Sequence, residues 1–319
     1  MDLDLGQVRA FVAVAEHRNF TRAAQSLFLT QQALSKRIGK LEEALPGALF
    51  RRTNRGVELT EAGSRFLPSA RELVRLNDEA VTAATGAQPH LRVDVIDHRL
   101  SPLFVLRRCA MADPDLRVER STRRGLVHSF DPLLAGELDL AFGWAGAPGQ
   151  QLPAGLAQRL IRLEPLIALL PPEHHLADGD AIRVEDLREE GVWLPSLAGP
   201  GEFREFLRAC FGGWSVPIDD SGVSFDLRHT LEQTRFGKPR VTLAGADMEL
   251  AADLNLRRLP FAPSPRYPWS VVWRRGGEPP ALIRLLKLLS QLSRKEGWCA
   301  YDPERDWVPE GTVIPAGGR

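Results

Sequence analysis

The sequence predicts an α/β fold in three parts: an N-terminal winged helix-turn-helix, one long helix, and a larger body of alternating strands and helices. Three observations carry this. Apolar residues recur at helical spacing through the first forty-five residues, and a short, basic, β-prone pair of runs follows. From Glu61 to about Thr85 an apolar side continues with no glycine after Gly63. Beyond residue 90, runs such as Leu91-Arg92-Val93-Asp94-Val95-Ile96 alternate with helical stretches, the pattern of a mainly parallel sheet.

Composition excludes several classes. The chain has 319 residues with 41 basic and 41 acidic side chains, and its 44% hydrophobic content is that of a globular rather than a disordered protein. At roughly 100–200 residues per domain this length predicts two or three units. No apolar run approaches the roughly 18–20 residues of a membrane span. The opening Met1-Asp2-Leu3-Asp4 is acidic, unlike a secretory signal. Cys109, Cys210 and Cys299 form neither a disulfide framework nor a metal knuckle, and they fit a reducing cytoplasm.

The neutral total hides an uneven layout. Between Arg18 and Gly56 eight basic residues (Arg18, Arg22, Lys36, Arg37, Lys40, Arg51, Arg52 and Arg55) face only Glu42 and Glu43, a net +6. Residues 86–319 hold 29 basic and 31 acidic residues, a net −2. This is the footprint of a small nucleic-acid-binding module on a neutral body, and equally that of a solvated basic face.

Element by element, Leu5, Val8, Phe11, Val12 and Ala15 predict a helix from about Leu5 to Glu16. Thr21 reads as the N-cap of a short second helix containing Ala23, Ala24, Leu27 and Phe28. Thr30 caps a third, whose Leu34, Ile38, Leu41 and Leu45 form one buried stripe. Gln31, Gln32, Ser35, Lys36, Gly39 and Lys40 then spread over its opposite side, offering amides, a hydroxyl and amines of the kind that read base edges in a major groove. Pro46-Gly47 ends that helix. Leu49-Phe50 and Val57-Glu58-Leu59 flank the basic turn Arg51-Arg52-Thr53-Asn54-Arg55-Gly56, completing a winged helix-turn-helix.

These residues carry a family likeness. Phe11-Val12-Ala13-Val14-Ala15-Glu16, Asn19-Phe20-Thr21-Arg22-Ala23-Ala24, Gln31-Gln32-Ala33-Leu34-Ser35-Lys36-Arg37-Ile38, Leu41-Glu42-Glu43, Leu49-Phe50-Arg51-Arg52-Thr53 and Leu59-Thr60-Glu61-Ala62-Gly63 resemble the N-terminus of LysR-type transcriptional regulators, almost continuously over residues 5–63. Gln32 stands where the family commonly has proline, and Pro46 where it commonly has glycine; the first change bears on which operator is read. The module is thus expected to contact promoter DNA through Thr21, Arg22, Gln31, Gln32, Ser35, Lys36, Arg51, Arg52 and Arg55. The 61–85 helix, with Phe66, Ala70, Leu73, Val74, Ala80, Val81 and Ala84 on one side, needs a partner for its stripe. The resemblance implies the same helix of a second chain, in a homodimer or homotetramer, through Phe66, Ala70, Leu73 and Val81; packing on the chain's own C-terminal body is the alternative. Gly86-Ala87-Gln88-Pro89 reads as a hinge.

In the body, strands are expected at Leu91–Ile96, Leu116–Glu119, Leu138–Phe142, Leu166–Leu170, Val192–Leu194, Val223–Phe225 and Val241–Leu243. Helices are expected at Pro102–Met111, Phe130–Leu134, Glu202–Cys210, Leu227–Arg235 and Leu282–Leu292. Gly136-Glu137-Leu138-Asp139-Leu140-Ala141, Glu164-Pro165-Leu166, Leu170-Pro171-Pro172-Glu173-His174 and Trp273-Arg274-Arg275-Gly276 resemble the family's effector domain, although the 236–251 segment lacks its usual glycine-glycine-valine run. The resemblance implies two subdomains of periplasmic-binding-protein type, about 90–163 plus 268–295 and about 164–267, crossed near Leu163–Leu166 and Pro260–Trp269. A DNA-binding domain at 1–60, a linker helix and hinge at 61–89, and an irregular tail at 296–319 complete the expected organisation.

Effector contacts are expected at carboxyl ends of strands and at helix starts: Asp97 and Ser101, Gly125, Pro195 and Ser196, Asp226 and His229. Ser101 either caps the helix opened by Pro102 or meets the ligand. Ser196 has no evident helix to cap and is the better candidate, with His229 as partner. Asp97 and Asp226 would repel an anion, which leaves a neutral or cationic effector open.

Catalytic patterns are missing from the sequence: no P-loop, no GxGxxG after a strand, no GxSxG and no HExxH. His174-His175 reads as an exposed pair without a third metal ligand, and Asp94, Asp97 and His98 lack an activated nucleophile beside them. The reading is a cytoplasmic, non-enzymatic regulator of transcription without cofactor or metal. Its partners are double-stranded promoter DNA, a small-molecule effector and RNA polymerase. The alternative is a small-molecule binding protein with a vestigial DNA module.

Overall fold

The computed structural model describes residues 2–17, 19–27, 29–53, 56–85, 90–96, 100–123, 125–195, 201–223, 227–238, 240–248, 250 and 252–315. It divides into two compact units, Met1–Pro89 and His90–Arg319. The hinge expected at 86–89 lies outside the described residues.

The first unit comprises α1 (Leu5–His17), α2 (Phe20–Ser26), α3 (Gln31–Ala44), a hairpin of β1 (Phe50–Thr53) and β2 (Gly56–Leu59), and α4 (Glu61–Thr85). Its core gathers Val8, Phe11, Leu34, Ile38, Leu41 and Leu49, so the apolar stripes read from the sequence meet. Thr30 caps α3 as expected, accepting the Ala33 amide at 3.2 Å. The cap of α2 is Asn19, whose Oδ1 accepts the Arg22 amide at 3.0 Å; Thr21 sits inside the helix. Asparagine is at least as good a cap as threonine, and it starts the helix two residues earlier. Gly63 is required where it stands, because a Cβ there would collide with the Leu49 carbonyl.

The first half of α4 packs on α1. Phe66 lies 5.1 Å from Phe11 between ring centroids, and Ala70 is fully buried. This corrects the assignment of Ala70 to a pairing stripe, since the unit's own core buries it; Phe66 is half-buried against the same core. Further along, Leu73, Leu76 and Val81 are 37%, 48% and 54% exposed. Leu73 and Leu76, three residues apart, lie on neighbouring parts of one exposed side of α4.

The second unit runs β3 (Leu91–Asp94), α5 (Ser101–Ala112), β4 (Val118–Ser121), α6 (Phe130–Leu134), β5 (Leu140–Gly143), β6 (Leu156–Leu170), β7 (Ile182–Arg183) and β8 (Val192–Trp193). Then follow α7 (Glu202–Gly213), β9 (Ile218–Asp219), α8 (Leu227–Phe236), β10 (Thr242–Gly245), β11 (Arg257–Ala262), β12 (Ser264–Arg274), α9 (Pro280–Lys295) and β13 (Asp306–Trp307). β4, β3 and β5 are parallel neighbours, as expected. The sheet as a whole is mixed, because β12 runs antiparallel to both β5 and β6, and β10 and β11 run antiparallel to β6. β6 and β12 therefore pass through both halves of the unit. They join a half built on β3–β5, α5, α6 and α9 to a half built on β7–β11, α7 and α8.

Two features were not expected from the sequence. The strand expected at Val223–Phe225 falls largely outside the described residues, which include only the exposed Val223; β9, paired parallel with β8, was not expected. Pro217 beside Ile218 hid so short a strand, since proline lowers strand propensity. The tail, expected to be irregular, has only β13 as regular structure among its described residues, yet it is anchored. The Trp298 carbonyl accepts the Leu163 amide at 2.8 Å, and β13 pairs with the start of β12. Trp307 meets Phe206 and Trp214 of the other half, each at 5.7 Å.

Candidate functional site

In the first unit, Thr21, Arg22, Gln31, Gln32, Ser35 and Lys36 are all exposed. Turning Leu34, Ile38 and Leu41 into the core leaves Gln31, Gln32, Ser35, Lys36, Arg37, Lys40 and Glu43 of α3 exposed to solvent. Thr21 donates its hydroxyl to Gln31 Oε1 at 3.4 Å, which ties the start of α3 to α2. On the hairpin, Arg51 is 68% exposed and pairs with Glu58 opposite it at 2.7 Å. An ion pair this wet is readily exchanged for a phosphate. Arg52 belongs to β1, and Arg55 lies outside the described residues. The sequence reading missed Glu42, whose carboxylate Oε1 accepts the amides of Leu49 and Phe50 at 2.7 and 3.2 Å. It fixes the wing on α3. A charged residue one turn from the end of a helix gives no such signal in sequence.

In the second unit the expected ligand positions separate. Asp97, Ser196 and Asp226 lie outside the described residues. Pro195 follows β8 in a turn, and His229 is half-buried on α8. Ser101 is the first residue of α5 and does not cap it; its hydroxyl donates to Asp247 Oδ2 at 3.3 Å. Asp247 also pairs with Arg162, whose guanidinium lies 5.1 Å from the Phe104 ring and 5.5 Å from that of Trp298. Trp269 donates its indole N–H to Glu164 Oε2 at 2.6 Å. Burial, with nearby Asp247 adding to it, pushes the Glu164 carboxyl up to about 7.

Gly125, with φ +110°, opens a short 3-10 turn at Leu126–Ser129. The Leu126 amide that follows is already taken. It donates to Glu202 Oε2 at 3.1 Å, while the Trp144 amide donates to Oε1 at 3.2 Å and the Tyr267 hydroxyl to Oε1 at 3.4 Å. Burial pushes Glu202 up to about 7 against these hydrogen bonds. Beneath it, Trp144, Phe206 and Tyr267 meet edge-on, with centroids 5.0–6.4 Å apart, so aromatic rings join the two halves. A cavity of about 640 Å³, lined by Val95, Leu103, Arg107, Val118, Arg120 and Thr122, lies against β3, β4 and α5. The sequence reading did not foresee it.

Asp94 is a structural knot. It is fully buried and accepts the hydroxyls of Ser129 and Ser121 at 2.9 and 3.3 Å and the Arg123 amide at 2.8 Å. His174, expected on the surface, is buried, and its Nε2 lies 3.0 Å from Glu190 Oε2. With His175 these groups form a cluster of possible metal ligands. However, His174 Nδ1 accepts the Leu176 amide at 3.3 Å, which leaves the ring proton on Nε2, where it serves Glu190 rather than a metal.

Comparison with known proteins agrees with this layout. The pattern described as bacterial regulatory helix-turn-helix protein, LysR family, matches residues 5–64, and the LysR substrate binding domain matches residues 84–293. The HTH-type transcriptional regulator IlvR of Caulobacter vibrioides is 30% identical over 302 residues, covering 91% of this chain and 98% of that protein. A full-length OxyR variant from Pseudomonas aeruginosa shares the fold with a TM-score of 0.65 at 20% identity, over 92% of this chain and 95% of its own. Full-length CbnR, solved with its target DNA, does so with a TM-score of 0.51 at 23% identity, over 91% and 100%. An N-terminal helix-turn-helix and a C-terminal substrate-binding domain, each matched in its own right, place the chain in the LysR family of bacterial DNA-binding transcriptional regulators.

Proposed function

We propose that the chain binds promoter DNA as a homodimer or homotetramer and answers a small-molecule effector. The observation that carries this reading is the exposed face of α3, where Gln31, Gln32, Ser35 and Lys36 stand together beside the hairpin that presents Arg51. Amides and an amine on one helix face suit base edges, while Arg22, Arg51, Arg52 and Arg55 suit phosphates. The exposed apolar side chains of Leu73 and Leu76 on α4 support pairing with a second copy. The effector is read into the second unit, between lobes of about 90–163 plus 268–295 and about 164–267. RNA polymerase is the further partner, the cytoplasm is the compartment, and no reaction is catalysed. No helix among the described residues is long and apolar enough to cross a membrane. The test is fluorescence anisotropy of the full-length protein on its own upstream DNA against shuffled DNA at several salt concentrations. Equal affinity for both at every salt concentration would overturn the reading.

A further inference from the structure

β3, β4 and β5 are parallel, so their carboxyl ends meet along one edge, the place where open α/β sheets collect ligands. Two backbone amides face it: Leu126, beyond β4, and Trp144, directly after β5. Both donate to the same carboxyl group, and the Tyr267 hydroxyl donates as well. A carboxylate held by two amides and a phenol is how a bound acid would be held. Here the acid is Glu202, the first residue of α7, and α7 belongs to the other half of the unit.

A glutamate needed only to start a helix would stand in water, where ionisation costs nothing. Glu202 is 8% exposed, and burying a carboxyl group is expensive unless its oxygens are satisfied. The fit is close. A Cβ at Gly143 would come within 2.7 Å of Glu202 Oε1, so the strand end admits the carboxyl only because residue 143 has no side chain.

We infer that Glu202 is an internal ligand: its carboxyl fills a carboxylate-binding subsite built by the β3–β5 half and thereby fastens α7 to that half. The inference rests on reading this unit as the effector domain. A small carboxylate is the chemistry that the two amides would accept in its place, and a carboxylate effector reaches them only by displacing Glu202.

The test uses full-length Glu202→Ala with sodium acetate as probe, against sodium chloride at equal concentration, at about pH 6, where acetate is mostly ionised. The variant should melt below the wild type. Acetate should raise its melting temperature saturably by several degrees, whereas the wild type should respond to acetate and chloride alike. No acetate-specific rise in the variant, or an equal rise in the wild type, overturns the inference. Glu202→Gln keeps the volume but turns an NH2 group toward one of the amides. Hydrogen exchange in peptides containing Leu126 and Trp144 should then quicken about tenfold, with Val93 unchanged. Unaltered protection at both amides overturns the inference even if the alanine variant does not fold. DNA binding enters neither readout, so failure here leaves the regulator reading intact.

Discussion

Glu42 accepts the amide of Leu49 at 2.7 Å, and through this bond the helix that presents Gln31 and Lys36 sets the position of the hairpin that presents Arg51. The bond ties α3 to the hairpin. Removing the carboxylate in Glu42→Ala leaves two amides, Leu49 and Phe50, without that acceptor. The expected cost is about 1 kcal/mol of stability, together with weaker binding to every DNA sequence alike. Chemical denaturation and anisotropy check both; unchanged affinity would show that the wing finds its place without Glu42.

Lys36→Ala should act differently, because Lys36 is exposed on the α3 face proposed to read the groove. Each good base contact is worth about 1–3 kcal/mol of discrimination. The variant should lose preference for its operator while retaining most of its non-specific affinity. Arg51→Ala should weaken all sequences similarly and reduce the salt slope by about one unit. Full operator preference in Lys36→Ala would remove that residue from the reading set.

The two halves of α4 make opposite predictions. Leu73 is 37% exposed and Ala70 is fully buried. Leu73→Glu should therefore leave each chain folded while splitting the assembly and abolishing operator binding. Ala70→Glu should unfold the first unit, because its carboxylate would be buried unpaired. Sedimentation and circular dichroism distinguish them; a wild-type monomer at micromolar concentration would sink the pairing model.

Stability should fall as pH rises through the window set by the two buried glutamates. Burial raises Glu164 and Glu202 from the ordinary 4.5 to about 7 in the folded chain. Between those values the native state holds protons that the unfolded chain has released, so the slope is negative. Below about 4.5 both states are protonated, and above about 7 the loss is complete. Asp94 opposes ionisation of Glu202 and Asp247 that of Glu164, while Arg162 favours the latter. The melting temperature of the wild type minus that of Glu202→Gln should decline across this window. A flat or rising difference would contradict the burial argument.

The tail supplies a last prediction. Trp307 is half-buried and touches Phe206 and Trp214, so Trp307→Ala should cost about 1–3 kcal/mol. Removal of a merely fraying terminus would leave the melting temperature unchanged.

The sequence alone settled what short-range physics decides. The stripe Leu34, Ile38 and Leu41 fixed α3, the Thr30 cap fixed its start, and residue spacing alone placed Gln31, Gln32, Ser35 and Lys36 on the outer face. The order of strands and helices beyond residue 90 was legible for the same reason, since periodicity is local. What lay beyond reach were relationships between distant segments. Phe66 and Ala70 looked like parts of one continuous stripe, and only the packing of α4 on α1 divided that stripe into a core half and an exposed half. The anchoring of the tail was not legible because its partners, Leu163, Phe206 and Trp214, are about a hundred residues or more away. An effector contact was expected at Gly125, yet nothing local announced that the next amide, Leu126, would donate to a glutamate 76 residues later. A carboxylate at the start of a helix is ordinary in sequence, and only the tertiary fold brings two amides of the other half to meet it.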